Sequence, residues 1–83
     1  MKLGELRGKI DEIDRKIVGL LVLRFKIAKL ISKIKKKSKS GIVDKKRELE
    51  VLSNITRSSK GKYEEFFKKV YKKIIEHSRK LQK

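Results

Sequence analysis

The sequence predicts an all-α protein of three helices per chain, long, short and medium, that assembles as a homodimer. Three observations carry this expectation. The 83 residues contain no proline, and long stretches lack any strong helix breaker. Apolar residues in the first third recur at alternating steps of three and four, the period of one helix face. A chain of this length buries only about 60% of its unfolded surface when it folds alone. With no cysteine, no disulfide framework compensates for so small a core.

The first helix is expected from about Gly4 to Lys36. Leu3, Leu6, Ile10, Ile13, Ile17, Leu20, Arg24, Ile27, Ile31 and Ile34 form its stripe, apolar at every station but Arg24. At 1.5 Å per residue this helix is on the order of 50 Å long, too long to bury its stripe against the rest of one chain. Lys36 to Val43 reads as a loop, with Ser38, Ser40 and Gly41 as breakers. A second helix is expected from Asp44, a good N-cap, to about Thr56, with Val51, Leu52 and Ile55 as its apolar positions. Arg57 to Gly61 reads as a turn. The third helix is expected from about Lys62 to Leu81, burying Phe66, Phe67, Val70, Tyr71, Ile74, Ile75 and Leu81. Residues 1–83 form one domain on this reading.

Charge bounds the function. Lysine and arginine number 26 against 10 acidic residues, a net charge of +16, so the chain attracts anions, whether polymeric or small. Lysine enrichment with Asn54 and Gln82 as the only side-chain amides fits a heat-adapted intracellular protein or an A+T-rich genome. One histidine, His77, and no cysteine exclude a structural zinc site. No run approaches the ~20 apolar residues that span a bilayer. Glu5, Arg7 and Lys9 interrupt the N-terminus where the apolar segment of a signal peptide would lie. A cytoplasmic location with no membrane association is expected.

The informative residues are those that break the apolar pattern. Arg24 occupies a seam position, where an unpaired guanidinium is unfavourable to bury. Lys35, eleven residues on, lies only ~20° round the helix from it, so both side chains lean into one space. Glu48 precedes Val51 and Leu52 by three and four residues and points inward with them. Ser78 and Gln82 extend the apolar face of the third helix by further turns. Two cations, a carboxylate, a hydroxyl and an amide would line an anion pocket. Taken singly, each has a plainer reading. A seam arginine also specifies register or a dimer interface, Lys35 to Lys37 is a run that suits a solvated face, and Ser78 and Gln82 lie near a chain end.

The joint spacing resembles the all-helical class of chorismate mutases over nearly the whole chain. Leu6-Arg7-Gly8-Lys9-Ile10-Asp11-Glu12-Ile13-Asp14 is similar to the family's L-R-x-x-I-D-x-(I/L)-D opening. The segment from Leu20 to Ile27 is similar to its L-L-x-x-R segment, and Ile31 to Lys35 to its (I/V)-x-x-x-K segment. Val43 to Glu48 resembles the V-x-D-x-x-R-E box, and Ile75 to Gln82 the closing I-x-x-S-x-x-x-Q. The resemblance implies an intertwined helical homodimer that rearranges chorismate to prephenate in aromatic amino-acid biosynthesis. It implies Arg7, Arg24, Lys35, Asp44, Arg47, Glu48, Ser78 and Gln82 as substrate-binding residues. Lys35 and Gln82 would donate to the ether oxygen, while Arg7 and Arg24, helped by Ser78, would hold the two carboxylates. Glu48 and the Asp44 region would receive the ring hydroxyl, with Arg47 at the wall. Catalytic weight falls on Lys35, Gln82 and Arg24.

These residue types suit the reaction. It is unimolecular and pericyclic, so no nucleophile, cofactor, metal or proton shuttle is called for. Catalysis comes from holding the dianion in its compact chair geometry and from stabilising charge on the ether oxygen. Arginine forks suit carboxylates and a lysine supplies the point charge. Arg7 and Arg24 are 17 residues apart, ~25 Å along a straight helix, so Arg7 is expected to enter the pocket from the partner subunit. The competing expectation is a basic helical dimer on nucleic acid, with Lys35 to Lys37, Lys68, Lys69, Lys72 and Lys73 tracking phosphates. It leaves Arg24 and Glu48 on apolar faces unexplained, and few aromatics are present for base stacking, so nucleic acid is not the expected partner.

Overall fold

The computed structural model describes residues 2–38 and 45–82, with side chains at 2–34 and 45–82. Its elements are α1 (Leu3–Ser38), α2 (Lys45–Ser58) and α3 (Glu64–Leu81), the long, short and medium helices of an all-α chain. α1 runs 36 residues without interruption and sets the long dimension of a body 55 × 25 × 15 Å. The radius of gyration is 15.9 Å, against about 12 Å for a compact domain of this size. Among the described residues no helix is long and apolar enough to cross a membrane.

α3 is the centre of the packing: α1 and α2 each pack on it, and among the described residues they make no close backbone approach to each other. The meeting of α1 and α3 uses small side chains. Ala28 and Ser32 of α1 are buried, as are Ile74, Ile75 and Ser78 of α3. Ser32 satisfies its hydroxyl locally by donating to the Lys29 carbonyl at 2.7 Å. The Phe25 ring meets His77 edge to face, centroids 4.7 Å apart. His77 is otherwise exposed.

Three expectations about boundaries and faces are corrected. α1 continues through Ser38, two residues past Lys36, because the lysines there are good helix formers and carry no breaker. α2 continues to Ser58, and the turn lies at Ser59–Tyr63 rather than Arg57–Gly61. Lys60, at φ 55°, closes α2 with a Schellman arrangement: Gly61 N–H donates to the Thr56 carbonyl at 2.9 Å and Lys60 N–H to that of Arg57 at 3.0 Å. Gly61 at φ 74° and Tyr63 at φ 55° delay α3 to Glu64, where Glu64 and Glu65 suit the positive end of the helix dipole. Finally, Phe66 is 60% exposed, resting edge-on against Phe67 outside the face that meets α1. The expected N-cap at Asp44 lies outside the described residues.

The expectation that one chain cannot bury the stripe of α1 agrees with the structure. Ile10, Ile13 and Ile17 are 56%, 51% and 49% exposed. Among the described residues the buried apolar core is only Ala28, Ile74 and Ile75.

Candidate active site

Because, among the described residues, α1 and α2 both pack on α3 rather than on each other, they leave a cleft between them floored by α3. Its volume is about 380 Å³, within the range of small-molecule sites. Ile27, Ala28 and Ile31 of α1, Val51 of α2 and Ile75 of α3 form its apolar walls. The apolar stripe of α1 therefore becomes a pocket wall at the level where Arg24 replaces a hydrophobe. The polar lining is Arg24, Arg47, Glu48, Ser78, Arg79 and Gln82. Three cations against one carboxylate give the described lining an excess of positive charge, suited to a dianion.

Arg24 is oriented by α3. Its Nη1 donates to Ser78 Oγ at 2.8 Å, and Ser78 Oγ donates its own proton to the Ile74 carbonyl, also at 2.8 Å. The serine hydroxyl is thus committed in a fixed direction, and among the described residues it accepts from Arg24. That leaves Arg24 with further guanidinium N–H groups as donors. Arg47, on the first turn of α2, bonds Glu50 at 3.4 Å and reaches the cleft from its rim. Gln82 caps α3, its backbone N–H on the Arg79 carbonyl, and its side chain lines the cleft.

Of the eight residues singled out by sequence, Arg24, Arg47, Glu48, Ser78 and Gln82 meet in this cleft. Lys35 belongs to the same helix as Arg24, but its side chain lies outside the described part, as does Asp44 altogether. Arg7 is not in the cleft. It stands near the far end of α1, exposed, ~25 Å of helix from Arg24. Sequence reasoning missed Arg79. Its Nη2 engages both carboxylate oxygens of Glu48, with Oε2 at 2.6 Å. The signal available was its place one residue after Ser78, at the cleft end of α3.

Comparison with known proteins identifies the family. A family model described as chorismate mutase type II matches residues 6–83. The chain belongs to that family. It is 38% identical to a chorismate mutase of Methanocaldococcus jannaschii, over 99% of this chain and 85% of that one. It is also 38% identical to a bifunctional chorismate mutase/prephenate dehydratase of Aquifex aeolicus, of which it spans 24%. Among solved structures, a conserved hypothetical protein from Pyrococcus furiosus superposes with a TM-score of 0.82 at 40% identity, covering 98% of this chain and 95% of that one. As a chorismate mutase the chain is an isomerase, and the family supports no role on nucleic acid.

Proposed function

We propose that this single domain, residues 1–83, converts chorismate to prephenate in the cytoplasm, in two sites shared across a homodimer. The observation that carries the reading is the cleft itself, which gathers Arg24, Arg47, Glu48, Ser78 and Gln82 around a space of small-molecule size. The reaction breaks one C–O bond and forms one C–C bond within a single molecule, with no proton or electron exchanged. The protein's task is to select the reactive fold of the substrate and to meet the charge that grows on the departing oxygen. Arg24, steadied by Ser78, holds one carboxylate, and Arg7 of the partner subunit holds the other. Lys35 and Gln82 donate to the ether oxygen. Glu48, with the Asp44 region, accepts the ring hydroxyl, and Arg47 closes the rim.

Sharing follows from length. A straight α1 cannot bring its own Arg7 to the cleft that contains Arg24, whereas a second chain packed on the bare stripe of α1 can. A mixing experiment tests this. Arg7→Ala and Arg24→Ala chains are each inactive alone. After unfolding and refolding together, mixed dimers contain one pocket with both arginines and one with neither. Random pairing then returns about a quarter of wild-type activity. Mixed dimers, verified by mass, that regain nothing count against shared sites.

A further inference from the structure

The ion pair between Glu48 and Arg79 differs in kind from the others. Lys68 with Glu64, Lys73 with Glu76 and Arg47 with Glu50 are all pairs within one helical turn, on side chains 45% or more exposed. Such pairs contribute little. Arg79 and Glu48 are 31 positions apart, on α3 and α2, and both line the cleft. The Glu48 side chain is only 19% exposed. Arg79 Nε is buried and makes no hydrogen bond among the described residues, so the attachment of this guanidinium rests on the carboxylate.

We propose that Arg79 is the positioning residue for Glu48, and that through Glu48 it sets the preference of the cleft for a ring bearing a hydroxyl. An ionised carboxylate accepts at about four lone-pair sites. A single Arg79 nitrogen that reaches both oxygens leaves further sites for a hydroxyl donor in the cleft. A carboxylate this deep, with no cation against it, would swing toward water or take up a proton. Either change removes a fixed acceptor. With Nη2 committed to Glu48, the role assigned to Arg79 is to position that carboxylate rather than to hold the substrate. This inference rests on the reading of Glu48 as the acceptor of the ring hydroxyl.

The test compares two substrates on the intact dimer: chorismate, and an analogue with hydrogen in place of the ring hydroxyl. Arg79→Met keeps the alkyl stem and removes the charge. It is expected to lower kcat/KM for chorismate roughly 10-fold, mainly through KM, and to leave the analogue within about twofold of wild type. Arg79→Lys is expected to recover part of the loss, since it restores charge without the fork. Glu48→Gln is expected to show the same selective loss as Arg79→Met. Equal losses on both substrates after Arg79→Met, or no loss on either, overturn the role of Arg79. So does a lysine variant no better than the methionine one. Wild-type selectivity in Glu48→Gln instead removes the reading of Glu48 on which the inference stands. Should Arg79→Met be unfolded by circular dichroism, Arg79→Lys on the two substrates decides: selective loss sustains the role, and equal loss ends it.

Discussion

From Leu3 to Leu20, α1 is exposed at every position. From Leu21 to Ile34 the same helix is pressed on α3 and walls a cleft. The two halves share the apolar period but not the composition, since Glu5, Asp11, Glu12, Asp14 and all three glycines of α1 lie in the first, and among the described residues only the second contains buried positions. The N-terminal half carries Leu3, Leu6, Ile10, Ile13 and Ile17, each more than two-fifths exposed, a larger apolar stripe than a monomer ordinarily leaves in water. The packed half achieves contact with less: Ala28 and Ser32, small enough to let α3 close in. One half meets α3, and the proposed homodimer would cover the other. The division places Arg24 at the level where the intrachain contact begins and Arg7 in the half that has none.

The largest effect that sharpens this contrast is expected at Ile13. Each isoleucine taken from water is worth about 1.5–3 kcal/mol, and a two-fold interface counts it twice. Ile13→Lys should therefore weaken a dimer by about 3–6 kcal/mol and abolish activity with it, read by sedimentation at micromolar concentration. Lys16→Ala, in the same half, should leave the assembly intact. An Ile13→Lys chain that sediments as wild type would break the comparison, because the bare half would then have no partner to lose.

The packed half should separate chemistry from assembly. Arg24→Ala and Lys35→Ala are expected to lower turnover by roughly 10²–10³-fold, about 3–4 kcal/mol, the cost of a lost preorganised donor. Both should remain dimeric. Lys36→Ala and Lys72→Ala should stay within about twofold of wild type. If Lys35→Ala behaves like these two, Lys35 belongs to the solvated face and the cleft works without it.

Why some of this was legible in the sequence is a matter of side-chain size and charge. The three helices follow from period and breakers, and Arg24 declared itself by interrupting an isoleucine stripe. The contact of α1 with α3 was less visible. Phe25, which meets His77, and the buried Ala28 and Ser32 sit beside the conspicuous stripe rather than on it, and alanine and serine leave no hydrophobic signature. Phe66 misled for the opposite reason, since a large aromatic at helical spacing suggests a core it does not enter. Arg79 was hidden by its surroundings. In a charged helix end one more arginine carries little signal beyond its place next to Ser78, until folding brings Glu48, 31 positions away, against it.

The smallest expected effect lies at Ser78, and it tests whether the packed half orients the cleft or merely fills space. The hydroxyl accepts from Arg24 and donates to a carbonyl within its own helix. Ser78→Ala removes the acceptor, leaving Arg24 free to turn. Loss of one such hydrogen bond is worth about 1–1.5 kcal/mol, so kcat/KM should fall roughly 5–10-fold. Stability should not follow. Alanine is the better helix former by about 0.5 kcal/mol, which offsets the lost local bond, so thermal unfolding should be unchanged or slightly later. The two measurements together exclude a general loosening, which would lower both. A cycle with Arg24→Ala completes the case: in that background, with no guanidinium to orient, Ser78→Ala should cost less than about twofold. A full 5–10-fold loss there would mean that the serine acts on the substrate directly and that Arg24 finds its direction elsewhere.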